Sequence, residues 1–280
     1  MNSIIIDFLK HSLNWDMHFL SSLEQIGGLS NNNYKAIYYN NLYFIRLCNP
    51  TQFNISRKNE LTILHTACAL NLCHMPIYFD VETGNMVYRW INGKMPTEIE
   101  FNSERFLRKL CINLKKLHLT TSLTYFNPFN EIREKIKICI KLKLPLPTYI
   151  YCLTDKLSLL EKELEINKFV GLCHNDLNVS NIIIDDKSLY IIDYEFSATC
   201  DVFFDLATVA WLQDYNGRVN LLKAYFGNFN IKDYNKLISY IYVVKILNAL
   251  WSLIKSAQPL SNYNYEKASN IIFDELYSNL

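Results

Sequence analysis

The stretch from Gly171 to Glu195 constrains the fold more tightly than any other. It reads Gly171-Leu-Cys-His174-Asn175-Asp176-Leu-Asn178-Val-Ser180-Asn181-Ile-Ile-Ile184, then Asp185-Asp186-Lys187, then Leu189-Tyr-Ile-Ile192-Asp193-Tyr194-Glu195. Two apolar, β-rich runs, 182–184 and 189–192, flank a polar turn, and this pattern predicts a hairpin. Asp176 and Asn181 leave the loop before the first strand, and Asp193 leaves the end of the second. Pairing of the strands is expected to carry that loop and Asp193 to one end of the hairpin. Oxygen donors of this kind suit magnesium, a hard ion that takes one or two carboxylates and leaves room for substrate phosphates. The plainer alternative is a surface hairpin in which Asp176, Asn178 and Asn181 serve turns and caps.

The rest of the chain fits around that unit. Its 280 residues allow one large domain or two lobes. Half of them are hydrophobic and only 7 are Gly and 7 Pro, which excludes a disordered or collagen-like chain. Basic and acidic side chains nearly cancel, 28 against 27, so composition gives no case for nucleic acid as a partner. The start, Met1-Asn2-Ser3-Ile4-Ile5-Ile6-Asp7, lacks a basic segment and does not read as a secretory signal. The apolar stretch Ile241–Ile254 is interrupted by Lys245 and Asn248 and reads as too short to cross a bilayer. Eight cysteines without a Cys-x-x-Cys pair read as reduced thiols, and the cytoplasm is the expected location. His65, Cys68, Cys73 and His74 match no zinc spacing and are expected to be buried helix side chains.

Periodicity predicts a helix over 5–20, then a hairpin of 34–39 and 42–47 turning at Asn40-Asn41. A helix is predicted over 56–72, with Leu61, Leu64, Cys68 and Leu72 on one stripe. Strands are predicted at 77–80 and 86–91, and a helix at 104–118. A strand-rich first third and a helix-rich remainder give an α+β chain. We expect a small antiparallel-sheet lobe over 1–91 and a larger helical lobe over 92–280, joined near Trp90–Gly93.

The spacing His174-x-Asp176-x-x-x-x-Asn181, followed by Asp193, is that of kinase catalytic loops. With Ile192-Asp193-Tyr-Glu195-Phe-Ser197 and Phe204-Asp205-Leu206-Ala207, the chain resembles the choline/ethanolamine kinase family. Within it, the likeness is to the small bacterial choline kinase and thiamine kinase branch, related to aminoglycoside phosphotransferases. The match is strongest over 171–211 and covers most of the chain in outline. It implies a protein-kinase-like fold with a five-stranded first lobe, and activity that uses ATP and Mg2+.

The resemblance also implies roles. Asp176 accepts the proton of the attacking hydroxyl, and Asn181 and Asp193 hold magnesium. The Gly27-Gly28 loop with Ser30, Asn31 and Asn32 covers the ATP phosphates, although alone it is also an ordinary turn. Arg46 stands where a strand presents a phosphate-binding cation, and Glu60 on the next helix pairs with it or is merely a solvated helix residue. Trp90 and Ile91 fall at the hinge that meets adenine, and Glu195 lies near the metal. Asp205 braces the catalytic loop, caps the helix that begins at Leu206, or does both, since the two roles are compatible.

For the acceptor, aromatic faces suit a quaternary ammonium. Tyr215 and Trp251 are the expected cage residues, and Asp214 the nearby acid in place of the family's usual Glu. The expected reaction is phosphorylation of choline, with thiamine or ethanolamine as the alternatives. Few acids follow Asp205, which counts against an aminoglycoside, and an inactive nucleotide-binding scaffold is the remaining reading. The expected partner is a small alcohol, with no nucleic acid and no stable membrane insertion, on a monomer or homodimer.

Overall fold

The computed structural model describes residues 3–28, 31–49, 55–257 and 263–280. The chain divides into two compact units, Met1–Met95 with Ser180–Phe196, and Pro96–Val179 with Ser197–Leu280. The first begins with α1 (Ser3–His11) and a 3₁₀ turn at Met17–Phe19, followed by strands β1 (Leu20–Ile26), β2 (Asn32–Tyr38) and β3 (Asn41–Leu47). Helix α2 (Arg57–Ala69) precedes β4 (Tyr78–Phe79) and β5 (Met86–Arg89). The five strands form one antiparallel sheet in the order β1-β2-β3-β5-β4.

Side chains alternate across a strand, so β3 turns Tyr43, Ile45 and Leu47 to one face and Arg46 to the other. On the first face they join Tyr34, Ala36 and Val87, and α1 closes over them with Ile5, Phe8 and Leu9. The helix predicted over 5–20 stops at His11, because Asn14 takes a left-handed φ of 53° and Asp16 starts a new turn by accepting from His18 N. The β2–β3 turn sits one residue earlier than expected: Tyr39 and Asn40 carry the positive φ values, 47° and 58°, that a two-residue hairpin demands. In α2 the buried stripe is Glu60, Ile63, Leu64 and Ala67, rotated from the predicted one. His65 is exposed and His74 packs edge-on to Tyr190.

The second unit contains α3 (Glu98–Phe101), α4 (Glu104–His118), α5 (Pro128–Lys141) and α6 (Ile150–Leu164), then strand β6 (Val170–Cys173). The hairpin β7 (Ile182–Ile184) and β8 (Leu189–Ile191) follows, in the register Ile182↔Ile191 and Ile184↔Leu189. It belongs to the first unit, although the expected division placed it with the helical part. Lys94 bridges Ile184, and Ile191 N donates to Leu72 O at 2.9 Å. Strand β9 (Ala198–Asp201) returns to the second unit and pairs with β6.

Helices α7 (Val202–Ala210), α8 (Tyr215–Phe226), α9 (Ile231–Ser256) and α10 (Tyr265–Ser278) complete the chain. Asp201, not Asp205, caps α7, accepting from Phe203 N at 3.0 Å. The apolar run expected to end at Ile254 is part of the 26-residue α9, which by length and composition is long enough to cross a membrane. Its buried residues instead pack among α5, α7 and α10, which makes it the core helix of this unit.

Candidate active site

In the first unit, Arg46 gathers acids from distant parts of the chain. Its side chain is 4% exposed, so the guanidinium needs partners to stay charged. Nη2 donates to Glu60 Oε1 at 2.7 Å and to Gly84 O at 3.1 Å, and Nη1 donates to Asp193 Oδ1 at 2.9 Å. Glu60 reaches Arg46 because it sits on the inner face of α2, one turn past the Ser56 cap. Burial works against the charge on Arg46, but Glu60 and then Asp193 outweigh it and hold the guanidinium firmly protonated.

Asp193 lies two residues past the end of β8 and has a left-handed φ of 68°, a strained setting for a residue with a Cβ. Asn181, at the base of β7, is buried and accepts from Ile192 N at 2.9 Å through its backbone oxygen. The hairpin thus sets Asn181 and Asp193 at the same end. Three carboxylates, Glu60, Asp193 and Glu195, offer oxygens within 4.8 Å of one another. Only Asp193 is partly open, with its side chain 33% exposed against 0% for Glu60 and 3% for Glu195. Burial pushes the carboxyls of Asp193 and Glu195 above their ordinary range; Arg46 pulls both back, while Asp193 adds to the rise at Glu195.

The other described residues expected in this unit lie at or beside strand ends. Asn31 Oδ1 accepts from Asn49 N at 3.2 Å and Asn32 Oδ1 from Gln25 Nε2 at 3.4 Å, whereas Ser30 lies outside the described residues. Trp90 is half-buried, anchored by its backbone N–H to Leu42 O, with Lys35 Nζ 4.9 Å from its ring centre. Ile91 is half-buried and accepts from Gly93 N.

In the second unit the loop after β6 is fastened through its backbone. His174 N and Asn175 N donate to the two oxygens of Asp205, each at 2.8 Å. Asp205 is fully buried and also meets His118 Nε2 at 3.0 Å, while His118 Nδ1 lies 2.8 Å from Tyr225 Oη. Burial would raise the Asp205 carboxyl, but hydrogen bonding to His118 leads the effects that bring it below its ordinary value. Asn175 has a φ of 63°, so the brace holds a strained backbone in place. Asp176 is half-buried; its N–H meets His174 Nδ1 at 3.3 Å and its Oδ1 accepts from Asn178 Nδ2 at 3.1 Å.

The aromatics expected to form a cage have different neighbours. Tyr215 is 64% exposed and leans on Tyr234. Asp214 caps α8, accepting from Gly217 N at 2.8 Å. Trp251 packs edge-on to Tyr265 and carries Lys255 Nζ 5.6 Å from its ring centre. Two groups escaped the sequence reading. Arg57 was signalled only by standing one helical turn before Glu60, and His118 by nothing local.

Comparison with known proteins gives the chain a family and a fold. Residues 22–237 match the phosphotransferase enzyme family. The protein LicA of Haemophilus influenzae is 28% identical over 206 residues, 69% of this chain and 59% of that protein. Among solved structures, the choline kinase LicA of Streptococcus pneumoniae superposes with a TM-score of 0.82 at 24% identity, covering 98% of both chains. A choline/ethanolamine kinase family protein from Mesorhizobium loti also gives a TM-score of 0.82, at 20% identity, covering 99% of this chain and 93% of that one. At these identities the two structures speak for the fold, which is protein-kinase-like.

Proposed function

Since the chain belongs to the phosphotransferase enzyme family, we propose that it moves the terminal phosphoryl group of ATP to the hydroxyl of a small amino alcohol, and that this alcohol is choline. The observation that carries the reading is Arg46, held by Glu60 on one side and touching the half-open Asp193 on the other. A guanidinium held charged beside an open carboxylate is suited to attract phosphate oxygens.

Asp176 takes the proton of the acceptor hydroxyl. Its loop has little freedom, because Asp205 fixes the backbone at 174 and 175 and Asn178 holds one carboxylate oxygen. Phosphoryl transfer depends on alignment and charge neutralisation more than on covalent help, so a weak, well-placed base suffices. Asn181 and Asp193 are the residues that would hold magnesium: their donors are oxygens, as this ion requires, and Asp193 is the acid that solvent reaches. Bound there, the ion supplies neutralising charge to the phosphates. The segment at Asn31 and Asn32 and the hinge at Trp90 and Ile91 serve the nucleotide.

For the acceptor, Trp251 is the chief anchor, with Tyr215 and Asp214 as further contacts. Its ring already attracts an ammonium, that of Lys255, which supports its use for a cationic headgroup. We place the enzyme in the cytoplasm and outside the membrane, a reading supported by the burial of α9 in its core.

Two measurements test the proposal. Product formation from ATP with choline, ethanolamine, thiamine and kanamycin in parallel is expected to favour choline; turnover of kanamycin alone would overturn the substrate class. Asp176→Ala is expected to abolish turnover while nucleotide affinity stays close to wild type, and undiminished turnover refutes the role of Asp176.

A further inference from the structure

Arg57 lies beside the Arg46 cluster and takes no part in the reaction as proposed. It opens α2 and is buried. Its Nη1 donates to two acids at once, Glu60 Oε2 at 2.7 Å and Glu195 Oε2 at 3.0 Å. Those acids come from positions 3 and 138 residues away along the chain. Glu60 is therefore shared: one oxygen faces Arg46 and the other faces Arg57. Glu195 is shared unequally, at 3.0 Å from Arg57 and 3.7 Å from the same Arg46 nitrogen that bonds Asp193.

This inequality has a consequence for Arg46. Two guanidiniums serve three carboxylates, so the carboxylate nearest each cation decides where that cation points. With Arg57 present, Glu195 is satisfied and Arg46 Nη1 stays on Asp193. With Arg57 absent, the buried Glu195 loses the cation at 3.0 Å, and Arg46 stands 3.7 Å away. Taking the closer of these two cations from a buried carboxylate is costly, so the guanidinium is drawn off Asp193 toward Glu195. The turn beneath is shaped for both cations. Gly84 has a φ of 76°, its carbonyl accepts from Arg46, and a Cβ there would stand 2.2 Å from Arg57 Nε.

We propose that Arg57 is a positioning residue: by occupying Glu195 and the second oxygen of Glu60, it keeps Arg46 directed at Asp193, where the nucleotide phosphates are bound. This rests on the reading of Arg46 and Asp193 given above. The ion pair on β3 and α2 grips phosphate only while a second cation keeps the competing acid occupied.

The test is nucleotide affinity, read by titration calorimetry with ADP and Mg2+ at a temperature where circular dichroism shows each variant folded. Arg57→Met is expected to weaken binding by about tenfold, the loss of roughly one well-placed charged contact. Adding Glu195→Gln to Arg57→Met removes the competing charge and is expected to recover most of that affinity. Should Arg57→Met not fold, Arg57→Lys decides. It keeps a cation in the pocket, but its chain is shorter and holds the charge farther from both acids, and affinity is expected to fall severalfold.

Wild-type affinity in whichever of these two variants folds overturns the proposal, as does a loss in Arg57→Met that Glu195→Gln leaves unrepaired. Arg46→Met serves as the control. If it binds the nucleotide as the wild type does, the assignment of Arg46 to phosphate fails; if it loses binding while the folded Arg57 variant does not, only the role of Arg57 fails.

Discussion

Asp205 sits without solvent contact and stays ionised because three donors surround it: the backbone N–H groups of His174 and Asn175, and the His118 ring. Its sequence context left two roles open, a brace for the loop or a cap for the helix. Asp201 takes the cap, and the N–H donors at 174 and 175 make Asp205 the brace. Its carboxyl titrates below the ordinary range in the folded protein, so the stability it contributes is present above the unfolded value of about 3.9 and is lost as pH falls through the folded one. Asp205→Asn keeps the shape but turns an amide donor toward donors. It is expected to cost about 1–3 kcal/mol at neutral pH. In urea titrations repeated at successively lower pH, the gap between wild type and variant should narrow below about pH 4. A gap that stays constant across that range would mean that the ionised carboxylate is not what holds the loop.

Elements differ in how plainly the sequence announces them. Helix α4 follows its apolar repeat from Glu104 to His118, with Ser103 as the cap that opens it. The hairpin of β7 and β8 is equally plain, because two apolar runs and a polar turn act within ten residues. Strand β1 is not legible. It is an edge strand whose less exposed residues, Leu20, Leu23 and Ile26, recur at intervals of three, and a bulge between Leu20 and Ser22 offsets its pairing. That spacing resembles a helix face, and only the neighbouring strand fixes it as β structure. Strand β6 depends on a neighbour in another way. A Cβ on Gly171 would lie 2.2 Å from His118 O, the last residue of α4. Backbone cannot retreat as a flexible side chain does, so Gly171→Ala must part β6 from α4 and disturb the loop at His174. Chemical denaturation is expected to show a loss of about 3 kcal/mol. A variant as stable as wild type would show that α4 yields at its end.

At the scale of the whole chain, the first unit is discontinuous. Residues 1–95 are completed by 180–196, so the chain leaves the unit and returns to it. The resemblance paired Glu60 with Arg46, yet nothing in the sequence told which cations would face Asp193 and Glu195. Arg46 and Asp193 are 147 residues apart, and Arg57 and Glu195 are 138 apart; no local rule relates such pairs. The same discontinuity makes a prediction about folding. Residues 1–95 alone would keep Arg46 and Arg57 with Glu60 but lose Asp193 and Glu195, leaving two buried cations and one acid. They would also lose Tyr194, which is fully buried, the Ile191 N–H that satisfies Leu72 O, and the strand that bridges Lys94. Circular dichroism of this fragment is expected to show no cooperative thermal transition. A single chain that joins 1–95 to 180–196 through a flexible Gly/Ser linker restores the missing acids and the hairpin, and it is expected to melt cooperatively. Cooperative melting of 1–95 alone would mean that the sheet and α1 suffice as a core. The hairpin would then serve only to carry Asn181 and Asp193, and the buried ion cluster would owe its order to the sheet beneath it.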